Sequence, residues 1–455
     1  MAEDKSFLDK RILIIGLGAT GLSCARFLAS QGAEIAVTDS RVSPPALAQL
    51  QAELPDVAVF VGGFAPEAVK RAECLVVSPG VSLRDPLIVE ARARGVEILG
   101  DVEIFARFVE APVIAITGSN GKSTVTTLVA EMARQARVRT ALGGNIGTPV
   151  LDLLRQELKE QPELYVLELS SFQLETTTSL EAVAATILNI SEDHMDRYTS
   201  LSDYVAAKTR IYHGNGTLVV NQDDPQVRAT LALVQRGRSV LRFSLTEPQD
   251  NDFGLREADD ETWLCRGRER LLPERELKIK GRHNTANALA ALALGTAVGL
   301  ALPAMLHVLR DFTGLPHRTQ WVAERDGVVW YNDSKATNVG AALAAIEGIP
   351  AQKIVLIAGG QGKGQDFSPL RNAVEWHCRA VILLGEDAET LAQVLAGTVE
   401  LIRVQDLPEA VGRAADLALP GDAVLLSPAC ASFDQFTGYA DRGEKFIQAV
   451  EALDG

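Results

Sequence analysis

Cysteine and surplus basic charge are both scarce in this 455-residue chain, and each shortage weighs against a class of explanation. Its five cysteines, Cys24, Cys74, Cys265, Cys378 and Cys430, are odd in number and far apart, with no Cys-x-x-Cys pair. That suits reduced thiols in a cytosolic protein better than a disulfide framework or a zinc site. A formal net charge of -15 leaves no basic excess to grip a nucleic-acid duplex, although a local basic pocket for a phosphorylated small molecule stays open. There is no solenoid repeat and no low-complexity linker. The start, MAEDKSFLDK, lacks the basic residues and apolar block of a signal peptide. The longest nonpolar stretch, Ala288 to Leu306, is rich in Ala and Gly and broken by Gly299 and Pro303, which predicts two packed helices rather than a membrane span. A cytoplasmic protein with no membrane span and no nucleic-acid partner is the expectation.

Hydrophobic residues at 47% and charged residues at 23% can build ordinary cores, and the length divides naturally into about three of them. From Arg11 to about Gly100, apolar runs (Ile12-Ile15, Ile35-Val37, Val57-Val61, Leu75-Val77) alternate with helix-like segments, the pattern of a parallel sheet covered by helices. A second α/β unit opens near Pro112 and runs to about Gly314, with strands at Tyr165-Leu169 and Ala185-Ile190 and an amphipathic segment at Leu201-Tyr212. The third has strands at Val328-Tyr331, Ile354-Ala358, Val381-Leu384 and Val424-Leu426. The expected fold is therefore three α/β domains, at 1–100, 101–314 and 315–455.

The strongest single motif is TGSNGKST, Thr117 to Thr124, which follows the apolar run Val113 to Ile116 and precedes a helix. A strand that delivers a glycine-bounded loop to a helix start aims several backbone N-H groups at one point. There a lysine (Lys122) reaches terminal phosphates and a hydroxyl (Ser123) can hold Mg2+. Two residues, Ser119 and Asn120, stand between Gly118 and Gly121, two fewer than in the usual P-loop. Glu168, at the carboxyl end of its strand, is placed to meet a nucleotide-bound Mg2+. Gly16-Leu17-Gly18-Ala19-Thr20-Gly21 after the first strand, with Asp39-Ser40-Arg41 after the second, is close to a dinucleotide fingerprint. Alone it also suits a nicotinamide-dependent oxidoreductase or a ligand-free turn.

Other polar clusters follow strands. Ser191-Glu192-Asp193-His194-Met195-Asp196-Arg197 offers His194, one of six histidines, as a metal ligand or orienting group. Lys208 reads as a solvated helix lysine. In Gly281-Arg282-His283-Asn284-Thr285-Ala286-Asn287, Asn284 reads as a helix N-cap, and Asn287 could reach a base edge. Asn332-Asp333-Ser334-Lys335-Ala336-Thr337-Asn338, Gly359-Gly360-Gln361-Gly362-Lys363-Gly364 and Ser427-Pro428-Ala429-Cys430-Ala431-Ser432-Phe433-Asp434 are three polar strand ends in one domain. Their number favours one shared site over three unrelated turns.

TGSNGKST, LELSSFQLE, SEDHMDRY, GLPHR, NDSKATN and SPACASFDQF, in that order across all three domains, resemble the Mur ligases of peptidoglycan synthesis. The resemblance implies a Rossmann-like N-terminal domain, a central P-loop ATPase-type α/β domain and a C-terminal Rossmann-like α/β domain. It implies a cytoplasmic, ATP-dependent step of cell-wall building, linked to cell shape and division, in which the carboxylate of UDP-N-acetylmuramoyl-L-alanine is joined to the amine of D-glutamate. Gly118, Ser119, Asn120, Gly121, Lys122, Ser123 and Thr124 would hold ATP, with Asn284 and Asn287 at its adenine and Arg318 and Asp333 completing the site. Ser123 and Glu168 would face Mg2+, and His194 a second Mg2+ and the substrate. Lys208 would be carbamylated and face metal, which replaces its reading as a solvated lysine. Lys335 would neutralise the transferring phosphoryl group. Ala19, Thr20, Asp39, Ser40 and Arg41 would grip the uridine nucleotide, making the fingerprint a UDP site rather than an NAD site. Asn145 and Gln173 would contact the muramoyl-alanine, and Thr337, Lys363, Ser432, Phe433 and Tyr439 would hold D-glutamate. Domain closure and a monomer are expected. Members commonly carry aspartate where Gln361 stands and phenylalanine where Tyr439 stands; the first change removes a charge near the glutamate site. A noncatalytic sensor of UDP-linked muramoyl peptides, or an amino-acid ligase of the folylpolyglutamate synthase kind, is the alternative.

Overall fold

The computed structural model describes residues 6–154, 161–195, 197–234 and 237–453. They form three sheets. The first is β1 (Arg11–Ile15), β2 (Glu34–Asp39), β3 (Ala58–Val61), β4 (Cys74–Val77) and β5 (Glu97–Leu99), all parallel in the order β3-β2-β1-β4-β5. Successive side chains of a strand point to opposite faces, and β1 uses both. Ile12 and Ile14 pack with Leu22, Ala25 and Leu28 of the helix Ala19–Ser30, while Leu13 and Ile15 pack with Val69, Ile88 and Ala91 on the other side. A continuous apolar run such as RILII is what a strand covered on both faces requires.

The second sheet holds β6 (Val113–Thr117), β7 (Thr140–Gly144), β8 (Leu164–Glu168), β9 (Ala184–Ile187), β10 (Thr217–Asn221), β11 (Val240–Phe243), β12 (Phe253–Ala258), β13 (Glu261–Arg266) and β14 (Glu269–Pro273). Their order is β14-β13-β12-β11-β10-β9-β6-β8-β7, parallel except for the antiparallel run β12-β13-β14. The predicted two-helix segment resolves into Arg282–Ala297 and Leu302–Asp311, separated around Gly299, whose φ is +75°. Residues Ala288 to Leu294 are all fully buried, so this helix is apolar all round because it lies inside the middle unit. Among the described residues no helix is long and apolar enough to cross a membrane.

The third sheet, β15 (Gln320–Arg325), β16 (Val328–Asn332), β17 (Ile354–Gly359), β18 (Cys378–Leu384), β19 (Glu400–Arg403) and β20 (Ala423–Leu426), has the order β15-β16-β20-β17-β18-β19. Only β15 runs antiparallel. Every strand predicted from sequence is present within a few residues. The predicted amphipathic segment becomes the helix Leu201–Thr209 and a short 3-10 turn, Arg210–Tyr212. All five cysteines are buried and unpaired.

Candidate active site

Strands β9, β6 and β8 are neighbours and parallel, so the loops that follow them open at one edge of the sheet. The loop after β6 is the phosphate cradle. Gly118 and Gly121 have φ of +153° and +80°, which residues with a Cβ rarely adopt, and a Cβ on Gly121 would fall 2.4 Å from Asn287 Oδ1. The loop is braced by Asn189, whose amide accepts from Asn120 N at 2.8 Å and donates to Asn120 O at 3.1 Å. Lys122, on the first turn of the helix Lys122–Gln135, folds back to donate from Nζ to Gly118 O (2.9 Å) and Ser119 O (3.0 Å).

Glu168 ends β8 in register with Ile116 of β6. One carboxylate oxygen accepts from Asn145 Nδ2 at 2.7 Å, and the other, Oε2, is buried without a hydrogen-bond partner among the described residues. A buried carboxylate oxygen left bare is costly, and a bound cation would satisfy it. Among the described residues no group of three or more His, Cys, Asp or Glu could hold a metal ion, so a metal at Glu168 would draw most of its ligands from hydroxyls, water or substrate oxygens. That donor set fits Mg2+, which keeps waters and phosphate oxygens around one or two carboxylates.

Lys208 is fully buried, a position in which the solvated reading fails. Its Nζ donates to Gly118 O at 2.9 Å and lies 4.5 Å from the centre of the Tyr204 ring, one helical turn earlier. Burial, and then the Lys122 cation, push its pKa well below that of an ordinary lysine. A shift in that direction favours the neutral amine, the nucleophilic form that takes up CO2. His194 stands in the left-handed region at φ +59°, with Nε2 3.6 Å from Asp193 Oδ2 and its ring edge-on to Phe172 at 4.7 Å. Asp196 lies outside the described residues.

The third unit closes the site. Arg318 donates to Ser123 Oγ at 2.6 Å, and Asn338 exchanges amide hydrogen bonds with Asn120 at 3.2 and 3.3 Å. Asp333 accepts from Thr319 N at 3.0 Å and Ser427 Oγ at 2.8 Å, and burial pushes its carboxyl up to about 7. Burial, then the Arg318 and Lys122 cations, bring Lys335 down to about 8; its Nζ lies 4.2 Å from the Tyr439 ring centre. A cavity of about 370 Å³ is lined by Gly121, Thr124, Asn284, Asn287, Arg318 and Asp333, so part of the set assigned to ATP, drawn from the glycine loop, the helix Arg282–Ala297 and the third unit, shares one space. Lys122, Arg318 and Lys335 gather around Glu168, an excess of basic groups suited to a polyphosphate.

The three polar loops of the third unit follow β16, β20 and β17, which are adjacent in the sheet. They interlock: Asp333 N donates to Leu426 O, Gly359 N to Pro428 O, and Gln361 N to Ala431 O, at 2.8 to 2.9 Å. Thr337 and Lys363 are partly exposed at these loops, Ser432 is buried, and Phe433 is 69% exposed. Sequence reasoning missed Arg442, whose buried guanidinium donates to Ser334 Oγ (3.0 Å), Ser334 O (2.8 Å) and Cys430 O (3.1 Å), pinning two of the loops together. A lone arginine in a polar helix gives no signal of this. Asn189 and Asn338 were missed too, and Tyr204 was legible only through its spacing of four from Lys208.

In the first unit, Asp39 accepts from Leu17 N at 2.7 Å and is chelated by Arg41 at 2.7 and 2.9 Å. Burial works against its charge, but Arg41 and the amides of Leu17 and Arg41 outweigh it and bring the carboxyl down to about 2. Ala19 and Thr20 open a helix whose N-cap, Gly18, offers no side chain, and a Cβ on Gly18 would meet nothing within 4 Å; Ser40 and Arg41 are exposed. Gln173 is spent locally: it completes a capping box with Ser170 and donates to Asp101 Oδ2 at 3.0 Å. Asn284 is not the N-cap. The helix starts at Arg282 behind Gly281, because a glycine at φ +96° turns the chain sharply, and Asn284 Nδ2 donates back to Lys280 O while its Oδ1 accepts from Asn287.

Comparison with known proteins agrees along the whole chain. Family profiles described as the MurD-like N-terminal domain, the Mur ligase middle domain and the Mur ligase glutamate ligase domain match residues 10–100, 116–295 and 317–430. The chain belongs to the Mur ligase family. Similar relatives include the UDP-N-acetylmuramoylalanine--D-glutamate ligases of Nitrosococcus oceani (59% identical; 97% of this chain, 96% of that one) and Pseudomonas aeruginosa (55%; 97% and 98%). Among solved structures, the UDP-N-acetylmuramate-alanine ligase of Thermotoga maritima (TM-score 0.61, 18% identical, 98% and 100% covered) and a pseudomurein peptide ligase from Methanothermus fervidus (0.58, 18%, 98% and 100%) have the same fold.

Proposed function

We propose that the protein joins D-glutamate to UDP-N-acetylmuramoyl-L-alanine, converting ATP to ADP and phosphate. The observation that carries this reading is that Gly121 and Thr124 of the glycine loop and Asn284 and Asn287 line one cavity with Arg318, Asp333 and Lys335, with Lys122 and Glu168 close enough to act on the charges of Arg318 and Lys335. The relatives' names, at 59% and 55% identity over nearly the whole chain, supply the acceptor and the amino acid. The units divide at 100/101 and 314/315 on this reading, consistent with sheets that end at Leu99, Pro273 and Leu426.

A carboxylate is a poor electrophile because oxide is a very poor leaving group. Transfer of the ATP γ-phosphoryl group to it gives an acyl phosphate; the amine of D-glutamate then attacks the carbonyl carbon, and the tetrahedral intermediate collapses with loss of inorganic phosphate. Lys122 leaves the carbonyls of its own loop for the ATP phosphates, and Arg318 and Lys335 close on them from the third unit. Glu168 and Ser123 would hold one Mg2+ and carbamylated Lys208 with His194 a second; when bound, the ions neutralise charge that builds between the phosphoryl oxygens. Asn284 and Asn287 line the base end of the cavity, and the joined third-unit loops bearing Thr337, Lys363, Ser432, Phe433 and Tyr439 receive the amino acid. Ala19, Thr20, Asp39, Ser40 and Arg41 take the uridine nucleotide, with Asn145 and Gln173 between it and the reacting carboxylate. A closed cleft protects the acyl phosphate from water. The protein acts as a cytoplasmic monomer on this reading.

Phosphate release with ATP, Mg2+ and UDP-N-acetylmuramoyl-L-alanine tests it, comparing D-glutamate, L-glutamate, L-lysine and no amino acid, with the product mass measured. Release that depends on D-glutamate and yields the ligated mass is the expected result. Release with another amino acid would assign a different amino-acid substrate, and substrate binding without turnover would leave a sensor.

A further inference from the structure

One side chain of the middle unit grips the first unit's ligand crevice and the His194 loop at once. In the first sheet the chain runs from β1 to β2 and β3 on one side, then returns to β4 and β5 on the other, so the order reverses between β1 and β4. Open α/β sheets take ligands outside the carboxyl ends of their strands at such a reversal. The walls of that crevice are the Gly16–Gly21 loop after β1 and residues 78–82 after β4. Ser78 Oγ donates to Gly16 O at 2.8 Å, Val81 N donates to Ser78 O at 2.9 Å, and Gly80 is exposed between them.

Arg197 reaches this second wall from outside the unit. Its Nη1 donates to Pro79 O at 2.7 Å and its Nη2 to Val81 O at 3.1 Å, while Nη2 also donates to Glu175 Oε2 at 2.8 Å. The guanidinium lies 4.0 Å above the Phe172 ring centre, and the side chain is 13% exposed. Phe172 is the ring that meets His194 edge-on, and the backbone amides of Arg197 and Tyr198 both donate to His194 O, at 2.9 and 3.1 Å. A planar fork with several fixed partners resists rotation in a way that a lysine ammonium does not.

We propose that Arg197 is a positioning residue that fixes the second wall of the nucleotide crevice and sets it against His194, so that filling the crevice and placing the acceptor carboxylate become one event. The inference rests on the reading that this crevice takes the uridine nucleotide. A residue serving only as a staple between units would lower stability and leave the substrates' relative KM values alone.

The test uses the full chain with Arg197→Met and Arg197→Lys, measuring kcat, the KM of each of the three substrates, and calorimetric binding of UDP-N-acetylmuramoyl-L-alanine. The expected result is a rise of about tenfold or more in KM and Kd for the nucleotide-linked substrate with Met and a smaller rise with Lys, from loss of charged hydrogen bonds. The KM values of ATP and D-glutamate stay within about twofold. Unchanged values for the nucleotide-linked substrate, or a parallel change in all three, overturn the proposal. If Arg197→Met does not fold, Arg197→Lys decides by the same criterion. Wild-type enzyme that ignores UDP-N-acetylmuramoyl-L-alanine would instead overturn the underlying reading of function.

Discussion

At the scale of single residues, the site is defined by charges held where water cannot screen them. Lys335 is the clearest case: burial and two neighbouring cations depress its pKa to about 8, so in the ligand-free protein part of its charge is lost just above neutrality. A bound polyphosphate favours the charged form and raises that pKa again. ATP binding near pH 8 is therefore expected to take up protons, and ATP affinity to fall as pH rises through this range. Asp333 titrates nearby at about 7, so Lys335→Arg, whose guanidinium stays charged, isolates the lysine's share. Calorimetry in buffers of differing ionisation enthalpy measures the uptake; equal values for wild type and Lys335→Arg would remove Lys335 from the ATP phosphates. Lys208 gives a second test. Lys208→Ala should lose nearly all turnover and regain part of it with acetate, which can enter the vacated space and supply the missing carboxylate. No regain would count against a carbamate.

Secondary-structure elements explain why these residues meet, and how much of that could be read in advance. The geometry of the glycine loop was legible because it is local: strand, glycine loop and helix are consecutive in the chain. Gly121 shows the limit. Its place in the motif was plain, but its contact with Asn287 joins residues far apart in sequence and depends on the helix Arg282–Ala297 lying across the cradle. Gly121→Ala would have to hold φ +80° with a Cβ against Asn287 Oδ1, so a stability loss of about 1–3 kcal/mol and a larger loss of ATP binding are expected. Denaturant melts with and without ATP measure both, and unimpaired ATP binding would mean that Asn287 can move aside without cost. Lys208 was misread from its own segment because a helix pattern does not report what covers it; only the family resemblance corrected that. The three polar strand ends of the third unit were visible singly, but their adjacency follows from the strand order β16-β20-β17, which no local pattern encodes. Asn284 was assigned a cap because asparagine commonly starts helices, whereas here Gly281 turns the chain three residues before it.

Across the whole molecule, the two joints between units are built from different materials. One apolar cluster runs from Phe7 and Ile14 in the first unit through Phe105 to Tyr165 and Leu167 in the middle unit, with the Phe105 and Tyr165 rings 5.2 Å apart. Among the described residues no apolar cluster joins the middle and third units; the third unit's clusters begin at Val328 and Val339 and stay within it. What holds that joint is polar: Arg318 on Ser123, Asn338 paired with Asn120 and reaching Asp193, and His283 Nδ1 against Ala344 O. Hydrogen bonds exchange with water at little net cost, whereas an apolar core does not. The third unit is thus the one expected to swing, carrying Arg318, Asp333 and Lys335 with it. Asn338→Asp tests this without confusing closure with folding. Aspartate still caps the helix Val339–Gly348 by accepting from Ala341 N, but it gives Asn120 Oδ1 no donor and faces Asp193 with a like charge. The variant should melt within a few degrees of wild type, show a larger radius of gyration by small-angle scattering without ligand, and bind ATP about tenfold more weakly. An unchanged radius with unchanged ATP affinity would show that the amide pair does not hold the cleft shut, leaving Arg318 on Ser123 and His283 against Ala344 O as the contacts that do.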